Sequence, residues 1–234
     1  MLFPQDIILL AGTAATVGIV HTALGPDHYL PFIFLAKARN WSVFKTSWIT
    51  ILCGIGHVGS SVLLGVVGFY LSIELAQLEL IEGVRGNLAA WAFVIFGLGY
   101  FIWGLYRSIS NKPHKHKHFH DDGTIHVHEH HHKDSHDHTH KKNITPWILF
   151  LIFVLGPCEP LIPILMYPAA ESSTSGMIFI AMIFSLVTII TMLGIVLMVT
   201  FGLNTIKLGK LERHTHALAG LIVLLSGIAI LMGL

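Results

Sequence analysis

Six apolar runs, each long enough to cross about 30 Å of hydrocarbon, constrain this 234-residue sequence more than anything else in it. They lie at roughly 7–25 (continuing weakly to 36), 46–71, 88–106, 145–168, 177–203 and 217–234. Inside lipid, backbone polar groups must be satisfied within the span, which leaves helices or a closed barrel. The runs lack strand alternation, so the sequence predicts an all-α membrane protein with six transmembrane helices. Apolar residues make up 53% and charged residues only 12%, with a mean hydropathy of +0.70, which excludes an ordinary soluble domain. No Lys or Arg precedes the first run and no small-residue cleavage site follows it, so it reads as a span, not a removable signal.

Positive charge predicts orientation. The loops after spans one, three and five hold Lys37, Arg39, Lys45, Arg107, Lys112, Lys115, Lys117, Lys133, Lys141, Lys142, Lys207, Lys210 and Arg213, and the other side has Arg85 alone. The expectation is an integral plasma (inner) membrane protein with both termini outside and loop 112–143 cytoplasmic. The outer side then carries Asp6, Glu74, Glu79, Glu82 and Glu171.

A shift of 131 residues lays LGPDHYLPF (24–32) over LGPCEPLIP (155–163) and sets His57 opposite Thr188. The tail WGL (103–105) falls on MGL (232–234) at a shift of 129. Three spans per half would make the halves run in opposite directions, an inverted 3+3 repeat of the kind common among secondary transporters. The expected division is 1–111 for the first repeat, 112–143 for a disordered histidine-rich loop and 144–234 for the second repeat. Each Leu-Gly-Pro triplet lies inside a span, where proline removes a donor and collides with the preceding turn. Helices 1 and 4 should therefore be broken, at Gly25-Pro26 and at Gly156-Pro157 with Pro160 beyond, and freed backbone at that depth must line a cavity or meet protein.

Few chemically forward residues fall inside the spans: His21, Asp27, His28, His57 and Glu159. A carboxylate at bilayer depth costs about 2.5–3.5 kcal/mol, so an idle one is costly. His57 comes 12 residues into its span and Glu159 comes 14 residues into its own, depths of roughly 18 and 21 Å at the helical rise. Imidazole with carboxylate suits borderline ions, so these five are the expected metal ligands, with Cys158 and Thr188 as auxiliary residues. The only cysteines, Cys53 and Cys158, both lie within spans and read as small buried apolar residues. Loop 112–143 holds His114, His116, His118, His120, His126, His128, His130, His131, His132, His136, His138 and His140, twelve of the seventeen histidines. Such a tract gathers divalent metal with little geometric choice. HEHHH (128–132) matches a zinc-protease pattern only because histidine is so dense here, and no other catalytic constellation appears, so an enzyme is not expected.

HTALGPDH (21–28) resembles the histidine/aspartate/histidine motif of nickel/cobalt transporters and the corresponding segment of nickel-linked urease-accessory membrane proteins, although five residues, not four, separate His21 from Asp27. GPCEPLIP (156–163) is similar to the proline-cysteine breaks of cytochrome c biogenesis thiol carriers, in the same lysine-exporter-like superfamily. The first resemblance implies transport, by alternating access and in the efflux direction, of a divalent transition-metal ion as substrate: nickel or cobalt, with zinc or copper next. The alternatives are a sulfite-type anion exporter and a thiol-redox electron carrier. Thiol chemistry would need two cysteines able to meet, and Asp27 stands where a partner for Cys158 would sit. The expected partners are the bilayer, the ion, an accessory metal chaperone and a second copy of the chain, with no nucleic acid.

Overall fold

The computed structural model describes residues 4–110, 114–119, 125–130, 144–170, 173–205 and 209–233. In chain order the helices are α1 (Gln5–Leu24), α2 (Leu30–Arg39), α3 (Val43–Tyr70), α4 (Leu75–Ser110), α5 (Thr145–Leu155), α6 (Leu161–Ala170), α7 (Thr174–Thr205) and α8 (Thr215–Leu231). Two strands, β1 (His114–Phe119) and β2 (Ile125–His130), fall between α4 and α5. Among the described residues, Gln5–Leu24, Val43–Tyr70, Leu75–Ser110, Thr174–Leu203 and Glu212–Leu231 are long and apolar enough to cross a membrane. The chain is an integral, multi-pass membrane protein.

The remaining apolar run is split between α5 and α6. At 11 residues, α5 spans only about 16 Å, short of a bilayer by itself. The element order of the first part of the chain, a broken helix followed by two long ones, recurs in the second. α4 starts well before the apolar run at 88, because Leu78 and Glu82 turn a buried stripe inward although the segment is polar in composition.

Both interruptions occur where the sequence predicts them. α1 stops at Gly25, whose N–H bonds the His21 carbonyl at 3.0 Å, and a single 3-10 turn over Pro26–His28 leads into α2. α5 stops at Gly156, whose N–H bonds the Ile152 carbonyl at 2.9 Å, and four residues without helical bonding precede α6. Proline at 26 and 157 cannot donate to the preceding turn, so neither helix continues. Between α2 and α3, Asn40 takes the left-handed conformation (φ 51°) and Ser42 caps α3 by accepting from the Lys45 N–H at 3.2 Å.

α4 lies along α8, α1 against α7, and α3 against both α5 and α7. The α4–α8 contact is backbone to backbone, since a Cβ at Gly97 or Gly220 would collide with the main chain of the facing helix. Leu9, Trp147 and Met198 are exposed on the outer surface, as lipid-facing residues are. Two apolar clusters form inside. One holds Phe32, Cys53, Phe93, Phe153, Met192 and Val223, and the other holds Ala14, Val58, Cys158, Leu161 and Phe184. His57 sits on α3 between them.

Of the histidine-rich segment, the structure describes residues 114–119 and 125–130. β1 and β2 pair antiparallel, with His114, His116 and His118 in register with His130, His128 and His126. Strict alternation in HKHKHF and IHVHEH is a period of two, which the strand geometry satisfies and a purely compositional reading overlooks. His120, His131, His132, His136, His138 and His140 lie outside the described residues, as do Lys207 and Glu171.

Candidate functional site

Each interruption turns side chains inward that an unbroken helix would spread around its circumference. After α1 the 3-10 turn swings His28 below His21, so that the rings meet edge to face with centroids 4.8 Å apart. His28 then meets His57 of α3, with centroids at 5.0 Å and an interplanar angle of 87°. Their Nε2 atoms are 3.3 Å apart. His28 Nδ1 lies 3.2 Å from both the Gly25 carbonyl and Asp27 Oδ1. His28 and His57 are buried, whereas His21 is half-buried.

The glycines at the breaks are there for space. A Cβ on Gly25 would stand 2.6 Å from His28 Nδ1, and one on Gly156 would stand 3.2 Å from His57 Nδ1. Each interruption thus has one imidazole of the first half laid against its bare backbone.

The second interruption brings in Cys158. Its N–H donates to Ser61 Oγ at 3.2 Å, one turn beyond His57 on α3. One ligand atom each from His21, His57 and Cys158 lie within 4.8 Å of one another. His21 Nε2 is buried and has no hydrogen-bond partner. A cavity of about 370 Å³ opens onto the cluster, lined by His21, Asp27, His28, His57, Phe153 and Glu159 among others.

His21, Asp27, His28 and His57, singled out from the sequence, do come together. Asp27 stands behind His28 and away from the group of three. Glu159 lines the cavity but is exposed, and it also borders a second cavity of about 320 Å³ with Glu79 and Glu82. Cys158 is grouped with His21 and His57, whereas Glu159 meets the histidines only across the cavity it shares with them. Thr188 is buried with its hydroxyl unpartnered, and it packs against α1 where a Cβ on Gly18 would be 3.2 Å from its Oγ1, outside the cavity lining.

Two functional side chains escape the sequence reading altogether. Glu82 and Arg85, expected in an outer loop, belong to α4, where they form an ion pair. Arg85 also donates to Ser60 Oγ at 2.6 Å, to the Val154 carbonyl at 2.9 Å and to the Gly156 carbonyl at 3.4 Å. These last two carbonyls precede the second break and lack helical donors, so Arg85 satisfies the backbone that Pro157 and Pro160 leave open. The signal for it was the i,i+3 spacing of two opposite charges within a helix-compatible stretch.

The family described as cytochrome c biogenesis protein transmembrane region matches residues 17–229, nearly the full length. No curated protein and no solved structure shows a match to the chain. The family match overturns the resemblance to nickel/cobalt transporters and, with it, the expected transport of divalent metal. HTALGPDH shares residue types with that motif, but an eight-residue likeness is outweighed by a match over residues 17–229. GPCEPLIP was the segment that carried the correct relationship. The chain belongs to the cytochrome c biogenesis protein transmembrane region family.

Proposed function

We propose that the chain is a membrane thiol-redox carrier, not an enzyme with a substrate of its own, and that it exchanges two electrons with dithiol partners through Cys158 and Cys53. The observation that carries this reading is the position of Cys158: inside the membrane, at a proline-broken helix, in a chain of the cytochrome c biogenesis family. Both cysteines are free thiols in this structure. In the exchange, the Cys158 thiolate attacks a partner disulfide, forming a mixed disulfide and releasing one partner thiol. Cys53 then attacks Cys158 Sγ, releasing the second. The partner gains two electrons and two protons, and a Cys53–Cys158 disulfide remains until a reduced dithiol on the other side reverses the sequence.

Cys53 and Cys158 belong to different apolar clusters, so the resolving step requires movement. The recurring element order supports an inverted 3+3 repeat, whose rocking would supply that movement. The thirteen-to-one distribution of Lys and Arg supports placing both termini outside and the histidine-rich segment in the cytoplasm.

Full-length protein in proteoliposomes, with a reduced thioredoxin-like dithiol outside and a disulfide acceptor within, tests the reading. Acceptor reduction should require Cys158 and should fall to background in Cys158→Ser. Reduction at the wild-type rate in that variant would end the proposal.

A further inference from the structure

His21 and His57, grouped with Cys158, and His28 beside them have no part in the thiol exchange just described. Their arrangement poses a specific electrostatic problem. His28 Nδ1 faces only acceptors, the Gly25 carbonyl and the Asp27 carboxylate, both at 3.2 Å. In the neutral ring that places the proton on Nδ1 and leaves a lone pair on Nε2. His57 has its Nδ1 edge against the second break, where a Cβ on Gly156 would meet both His57 Nδ1 and the Phe153 carbonyl. With the His57 proton on Nδ1, its Nε2 carries a lone pair as well. Two lone pairs facing each other at 3.3 Å repel unless a cation lies between them.

A shared proton would serve those two nitrogens alone. It would leave the buried, unpartnered Nε2 of His21 and the thiol of Cys158 without a role. A metal ion at His57 would meet His28 on one side and the grouped His21 and Cys158 on the other. Two nitrogens each about 2.0–2.1 Å from a tetrahedral ion stand roughly 3.3–3.4 Å apart, which is the separation found between His28 and His57. His21, His57 and Cys158 are within 4.8 Å of one another, loose by about an ångström, which small side-chain rotations close. Carboxylate or carbonyl support behind a ligating imidazole is the usual outer shell of such sites.

We infer that His21, His28, His57 and Cys158 form a binding site for a thiophilic transition-metal ion, zinc(II) or copper(I) in class. Three nitrogens and one sulfur are too soft a set for magnesium or calcium, which take oxygen. The nearby carboxylates stand outside the set, Asp27 behind His28 and Glu159 along the cavity wall. Cys158 gives up its proton on binding, and the cavity of about 370 Å³ supplies the entry path. The inference rests on these donors and not on the thiol-carrier reading. The two meet in one consequence: a bound ion holds the Cys158 sulfur and withholds it from a partner disulfide.

The test uses the full chain, purified in detergent and stripped by chelator, titrated with cobalt(II) as a spectroscopic probe of zinc-type sites and separately with copper(I). The histidine-rich segment also binds such ions, but only a cysteine ligand gives a thiolate-to-cobalt charge-transfer band in the near ultraviolet. Wild type should show that band with tetrahedral visible bands, and Cys53→Ser should keep both. Cys158→Ser should lose the band, and His57→Ala should weaken binding by at least about tenfold. If His57→Ala does not fold, His21→Asn carries the same test, its ring being only half-buried. No band in wild type, a band kept in Cys158→Ser, or one lost only in Cys53→Ser overturns the site. Acceptor reduction that needs Cys158 in a chain without the band would sink the metal site and leave the carrier standing. The band without acceptor reduction would do the reverse.

Discussion

The Nε2 atoms of His28 and His57 stand 3.3 Å apart although the residues are 29 positions apart in the chain. A 3-10 turn delivers one ring and a long regular helix delivers the other. The metal site inferred above depends on that meeting, and it rests on small residues at the two interruptions.

Gly25→Ala should therefore separate the pair. The added methyl carbon would lie 2.6 Å from His28 Nδ1 and 3.0 Å from Asp27 Oδ1, inside contact distance of both. Forced repacking of this kind costs about 1–3 kcal/mol. We expect a lower thermal midpoint together with loss of the cobalt charge-transfer band. Gly156→Ala, at 3.2 Å from His57 Nδ1, should have a milder effect on both readouts. Equal effects would show that the first interruption is not the tighter one.

Arg85→Met removes the partner of a carboxylate that is only 1% exposed at Glu82, and it strips donors from the carbonyls before the second break. Leaving a buried charge unpaired costs roughly 3–5 kcal/mol. Expression and detergent stability should fall sharply. The double variant Arg85→Met/Glu82→Gln should recover part of the loss in the same melting assay, but not all of it, because the Val154 and Gly156 carbonyls stay unserved. Full recovery would show that the ion pair alone matters.

Ser61→Ala deletes the acceptor for the Cys158 N–H, a bond worth about 1 kcal/mol. The fold should survive with a small drop in melting temperature. Thiol exchange with a partner disulfide should slow, since the segment carrying Cys158 is less firmly held, and quenched-flow alkylation of Cys158 reads the rate. An unchanged rate would make Ser61 a packing residue only.

Gly97→Val should break the α4–α8 contact, since its Cβ would overlap the Leu224 backbone and no side-chain rotation can relieve a main-chain clash. Loss of folded protein on size exclusion is the expected outcome. Gly99→Val, two residues on and with no atom within 4 Å of its Cβ, should be tolerated.

Long apolar runs state the membrane plainly, because the cost of unsatisfied backbone in lipid leaves a single economical form for them. Gly25-Pro26 and Gly156-Pro157 state the two interruptions as plainly, since proline acts on its own preceding turn. The alternation in HKHKHF is as legible as its histidine content. Local chemistry is ambiguous where two families share residue types: His21, Asp27 and His28 resemble a permease motif, while GPCEPLIP is similar to the thiol carriers to whose family the chain belongs.

The amino-acid order by itself determined the membrane class, the interrupted helices and which histidines fall within apolar runs, all consequences of short-range bonding and solvent transfer. Only the tertiary structure decided that Cys158 is grouped with His21 and His57, and that Arg85, paired with Glu82, closes the second break from a distant helix. The direction of a side chain in a non-helical stretch, and the helix lying opposite it, depend on how the whole bundle packs, and no window of neighbouring residues contains that information.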